Sequence, residues 1–106
     1  MLIRVLAIEW GADGTRINSV VPGPTGDTEG VRRLAPTADA LKDMEASIPL
    51  GRMGTRQEVA DMALVLSSGL ASFVTGAVIP VDGGSSLLGG MNLRSAYNAS
   101  MEACKQ

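Results

Sequence analysis

Two short apolar runs govern what this chain can become. Ile17-Asn18-Ser19-Val20-Val21 drives into Pro22-Gly23-Pro24, and Ala77-Val78-Ile79-Pro80-Val81 stops at Asp82-Gly83-Gly84. Both are apolar on consecutive positions, the pattern of strands whose two faces are covered. Helical patterning fills the stretch between them, and a strand–helix–strand unit of this kind favours parallel, right-handed pairing. Loops at the carboxyl ends of parallel strands are where open α/β sheets hold ligands. The turn at 22–25 is therefore the first place to look for a site. Two strands alone leave open hydrogen-bonding edges, and Pro80 puts the second strand at or near a sheet edge. The expectation is the final part of a larger α/β domain, an incomplete domain with strands over 15–21 and 77–81.

The helices can be placed by their caps. Residues 1–10 set Ile3, Leu6, Ala7 and Trp10 on one face, with Gly11 as the expected C-cap and Gly14 in a turn. No Ser, Thr, Asp or Asn precedes that pattern, so the helix begins uncapped, like one cut in its middle. Asp27 or Thr28 is expected to cap a short helix through Leu34, and Thr37 another to about Ser47. Thr55-Arg56-Gln57-Glu58 is a capping box opening a helix whose stripe is Val59, Met62, Ala63 and Leu66. Glu9 and Arg16 are expected to pair beside the first turn, and Asn18 to bond backbone. From Leu87 to Gln106 the periodicity is weak, and a flexible or weakly helical tail is expected.

Composition narrows the chemistry. The formal charge is −2, and Lys and Arg never cluster beyond Arg32-Arg33. With Trp10, Phe73 and Tyr97 the only aromatics, there is neither the basic patch nor the stacking platform of a nucleic-acid surface. There is no His, which removes a Ser-His-Asp triad and His-containing metal sites, so no metal ligands are assigned. A single Cys104 excludes an internal disulfide and fits a reducing, cytoplasmic compartment. No apolar run reaches the ~20 residues of a membrane span.

Three blocks in register then carry a resemblance. LAIEWGADGTRINSVVPGP, IPLGRMGTRQEVADMALVLSSGLASFVTG and AVIPVDGG are similar to the C-terminal portion of a short-chain dehydrogenase/reductase, over about residues 1–86 with the tail 87–106 unmatched. PGPTGDTEGVRRLAP looks most like the branch that includes 2,4-dienoyl-CoA reductases. The resemblance implies the C-terminal part of a Rossmann-type doubly wound parallel sheet, with two parallel strands plus helices. It also implies NAD or NADP as cofactor. On the family's pattern, backbone groups around Pro22, Gly23 and Thr25 face the nicotinamide carboxamide, and the Thr28 hydroxyl reaches the pyrophosphate. Thr25 departs from the pattern, which usually has an aliphatic residue there. Residues 28–50 correspond to the substrate loop, a pair of helices closing over an acyl-CoA or other small carbonyl substrate. The family is typically homo-oligomeric.

The family's Thr-Gly-x-x-x-Gly-x-Gly, Asn-Asn-Ala-Gly, catalytic Ser and Tyr-x-x-x-Lys all precede the matched region. Tyr97 is followed four positions on by Met101, so no catalytic residue is assigned to this chain. Three readings result: a fragment of an NAD(P)-dependent oxidoreductase that is inactive by itself, a non-enzymatic interaction module that associates with intact subunits, or an independent binding protein with no cofactor.

Overall fold

The computed structural model describes residues 1–88 and 100–105. It divides into two compact units. One comprises Met1–Pro22 and Arg56–Val81, the other Gly23–Thr55 and the chain from Asp82 onward.

The first unit holds α1 (Leu2–Gly11), β1 (Ser19–Pro22), a 12-residue helix numbered α4 in chain order (Arg56–Ser67) and β2 (Val78–Val81). β1 and β2 run parallel, with Ser19 opposite Val78, Val20 opposite Ile79, Val21 opposite Pro80 and Pro22 opposite Val81. The parallel pairing expected from the two apolar runs is thus observed, with α4 packed on both strands. β1 is shorter than expected because Asn18 replaces the ladder before it begins. Its side chain accepts from the Ala77 amide at 3.0 Å and donates to the Val74 carbonyl at 3.0 Å. Gly76 donates to the Ile17 carbonyl at 2.7 Å, and Ile17 to the Thr75 hydroxyl at 3.1 Å, which completes the clasp.

Arg16 does not pair with Glu9. Its guanidinium donates to the carbonyls of Leu66 (2.7 Å), Val74 (3.2 Å) and Ser68 (3.3 Å). A cation here meets the orphan carbonyls and the negative end of the α4 dipole. Gly11 lies inside α1 rather than capping it; the chain leaves the helix through Ala12, and Gly14 takes the left-handed conformation (φ 75°). On α1 only Ala7 is buried, with Ile3 and Leu6 half-buried and Trp10 46% exposed. On α4, Val59, Met62 and Leu66 are half-buried. Ala63 is exposed, bordering a groove of about 540 Å³ with Arg16, Asn18, Val20 and Leu66. Both strands were expected to be covered on each face, yet Val21 and Val78 remain 46% and 50% exposed.

The second unit holds α2 (Glu29–Leu34), α3 (Ala38–Ser47) and a 3₁₀ turn at Ser85–Leu88. Thr28 caps α2 and Thr37 caps α3, each hydroxyl accepting from the amide three residues on. Asp27 is not the cap; it takes a left-handed conformation (φ 58°) and pairs with Arg32 at 2.8 Å on the surface. Among the described residues of this unit, Thr25, Val31, Ala35 and Ile48 are buried, the last 2% exposed. Most of the tail, including Tyr97, lies outside the described residues.

Replacing Asn18 by Ala leaves the Ala77 amide without a partner and the Val74 carbonyl with Arg16 alone. The expected loss is about 1–3 kcal/mol, read as a lowered midpoint in urea or thermal unfolding. Asn18→Asp should recover the acceptor half of the clasp only.

Candidate functional site

The site is built from a turn, a short helix and a loop root within the second unit. The chain leaves β1 at Pro22 and turns at Gly23. Gly23 lies so close to Asp82 that a β-carbon here would stand 2.6 Å from the Asp82 Cα. Only glycine fits that approach.

Beyond it, Thr25 forms an isolated parallel bridge with Gly54: Gly54 donates to the Pro24 carbonyl at 3.0 Å, and Gly26 to the Gly54 carbonyl at 2.9 Å. In such a bridge the central residue's own N–H and C=O turn to the opposite side. Thr25 therefore presents one backbone donor and one acceptor away from Gly54. Its carbonyl accepts the Thr28 hydroxyl at 2.7 Å, and its own hydroxyl donates to the Gly23 carbonyl at 3.0 Å. The hydroxyl that replaces the family's usual aliphatic group is thus folded back onto the turn, and Thr25 is buried all the same.

Next to this turn is a hollow of about 330 Å³ lined by Gly23, Pro24, Thr25, Thr28, Gly30, Val31, Leu34 and Met44. Its walls are mostly carbon, supplied by α2 and by Met44 of α3. Of the residues that the sequence singled out, Gly23, Thr25 and Thr28 meet here. Pro22 is not among the lining residues; it closes β1 opposite Val81. Thr28 is both the α2 cap and a wall of the hollow. Its single proton is committed to the Thr25 carbonyl, while its oxygen accepts from Val31 at 3.4 Å. Sequence reasoning missed Val31 and Leu34 as lining residues, although their i, i+3 spacing marks one helix face.

The far wall of the turn is the corner Asp82-Gly83-Gly84. The Asp82 carboxylate accepts from the Gly84 amide at 2.9 Å and the Ser86 amide at 3.0 Å. The Ser86 hydroxyl, then these amides, hold its carboxyl below the ordinary carboxylate range. No helix among the described residues is long and apolar enough to cross a membrane.

A family profile described as enoyl-(acyl carrier protein) reductase matches residues 1–86. The peroxisomal 2,4-dienoyl-CoA reductase [(3E)-enoyl-CoA-producing] of Pongo abelii is 47% identical over 83 residues, 78% of this chain and 28% of that protein. A short-chain type dehydrogenase/reductase from Mycobacterium ulcerans is 43% identical with a TM-score of 0.71, over 81% of this chain and 31% of that one. The RhlG/NADP active-site complex of Pseudomonas aeruginosa is 37% identical with a TM-score of 0.69, over 79% of this chain and 34% of that one. The chain therefore spans less than a third of the length of the curated relative.

The Asp82 shift has a pH consequence. A carboxyl whose folded pKa lies below its unfolded value of about 3.9 contributes stability above that value and loses it as pH falls through the folded one. Denaturation midpoints of the native chain and of Asp82→Asn should therefore differ at pH 6 and converge below about pH 4. A difference that stays constant to pH 2.5 would contradict this assignment.

Proposed function

The chain belongs to the short-chain dehydrogenase/reductase family, and on that premise we propose that it forms the carboxyl-terminal portion of an NAD(P)-dependent oxidoreductase. In this reading the enzyme reduces a carbonyl or an enoyl-CoA-type double bond. Residues 1–86 are the family segment, and the chain from Leu87 is an appended tail. The oxidoreductase names of the relatives favour this over a non-enzymatic interaction module.

The observation that carries the reading is the orientation of the Thr25 peptide groups beside a carbon-walled hollow. The bridge to Gly54 turns one donor and one acceptor toward the same side as Thr28, which supports a carboxamide contact at Thr25. A bound nicotinamide supplies the hydride. Pro22 and Gly23 shape the turn that lets the backbone approach a flat ring. Thr28 has one proton, so a bond from its hydroxyl to a phosphate oxygen requires that proton to leave the Thr25 carbonyl. Pro24, Val31, Leu34 and Met44 offer an apolar wall suited to an acyl chain, and α2 and α3 are the helices that cover it. The proton that completes reduction must come from residues outside these 106, because no Tyr-x-x-x-Lys occurs in the sequence.

Surface composition supports a role as part of a larger assembly. Leu2, Ile8, Leu64, Leu70 and Phe73 are each more than two-thirds exposed, and apolar surface of this kind marks interaction sites. The parent enzyme is accordingly proposed to be a homo-oligomer.

The chain should not oxidise NADH or NADPH with a 2,4-dienoyl-CoA or a ketoacyl substrate when assayed alone. Joined behind the part of the Pongo abelii relative that precedes the matched residues, it should restore turnover. Activity of the isolated chain, or a folded but inactive fusion, would contradict the proposal.

A further inference from the structure

The corner Asp82-Gly83-Gly84 touches two segments that the proposed reaction must keep in register. On one side, Gly23 lies against the Asp82 backbone with no room for a β-carbon. On the other, a β-carbon on Gly83 (φ 61°) would stand 2.8 Å from Ile48 Cγ2, and the Leu50 amide donates to the Gly83 carbonyl at 3.2 Å. One on Gly84 would come within 3.0 Å of Pro49 Cγ. Ile48, where α3 ends, is the most deeply buried large side chain described. The corner itself is braced from within, by the Asp82 carboxylate on the Gly84 and Ser86 amides.

We propose that this corner is a common anchor that holds the turn at 23–25 and the loop root at 48–51 at a fixed separation, with Asp82 as the positioning residue. On one side Gly23 is packed against the Asp82 backbone, and on the other Gly83 is packed against the buried Ile48 and hydrogen-bonded to the Leu50 amide, contacts that resist independent movement of the segments. A displacement of the corner is therefore passed to both segments. If the turn receives the nicotinamide and the segment between Thr28 and Leu50 covers the substrate, the corner fixes hydride donor against acceptor. Misplacement by about 1 Å in such an arrangement costs about a hundredfold in rate. That consequence rests on the functional reading above; the coupling itself does not.

Amide hydrogen exchange on the full chain tests the coupling without any assay of activity. Asp82→Ala removes the internal brace, and its side chain bonds neither to the turn nor to the loop root. It should speed exchange several-fold at both the Leu50 amide, bonded to Gly83, and the Gly26 and Gly54 amides, bonded across the turn. The Ser19 amide, bonded to Ala77 in the other unit, should be unchanged. Coupling between sites is reciprocal, so Gly23→Ala should loosen Leu50, and the milder Ile48→Val should loosen Gly26. Changes confined to the Gly84 and Ser86 amides in Asp82→Ala would overturn the proposal. So would a uniform rise that includes Ser19, or an effect of Ile48→Val that stops at residues 48–51.

Discussion

Gly23 can be nothing larger than glycine, because the Asp82 backbone stands where a side chain would begin. The rest of the second unit depends on that approach. It brings the corner after β2 against the turn after β1, and the same corner receives Ile48 and Pro49 on its other side. The Thr25–Gly54 bridge then closes the base of the loop that carries α2 and α3. A segment whose two ends are held this way can keep a carbon-lined hollow beside a fixed peptide group while contributing few buried side chains of its own.

The chemistry available at this place is that of recognition. Thr25 contributes a peptide donor and acceptor, Thr28 a hydroxyl already serving as a cap, and Pro24, Val31, Leu34 and Met44 an apolar wall. None of these groups moves a proton at neutral pH. The chain belongs to a family of nicotinamide-dependent oxidoreductases, and the function proposed above divides the labour accordingly: this portion is assigned the orienting of cofactor and substrate, and proton transfer is assigned to groups elsewhere in the proposed enzyme. The surface ion pairs of α2, Arg32 with Asp27 and Arg33 with Glu29, are exposed and contribute little to stability.

Local chemistry was legible in the sequence. Thr37 was readable as a cap, the first cap only as Asp27 or Thr28, the Asp82-Gly83-Gly84 stop as a strand end, and the two apolar runs as parallel partners. Asn18 was readable as an amide that bonds backbone, but not as the reason β1 begins only at Ser19. Arg16 was misread toward Glu9 because a nearby opposite charge is visible in sequence, whereas the carbonyls at the end of α4 are not. Gly11 was expected to cap α1 and lies inside it, whereas Gly14, expected in the turn, takes the positive φ there. The candidate residues Gly23, Thr25 and Thr28 were named from a resemblance. The meeting of Thr28 with Val31 and Leu34 was legible in their i, i+3 spacing, whereas the approach of Met44 from α3 and the bridge of Thr25 to Gly54 are longer-range contacts that no local pattern announces.

The central claim is that the Thr25 backbone receives the nicotinamide carboxamide. A crystal structure of this chain joined behind the preceding segment of a relative, with NADP bound, tests it most directly. The account predicts the carboxamide within about 3 Å of the Thr25 N–H and C=O, with the ring against the Gly23 turn. A carboxamide bound elsewhere, with Thr25 still facing only Thr28, would contradict it.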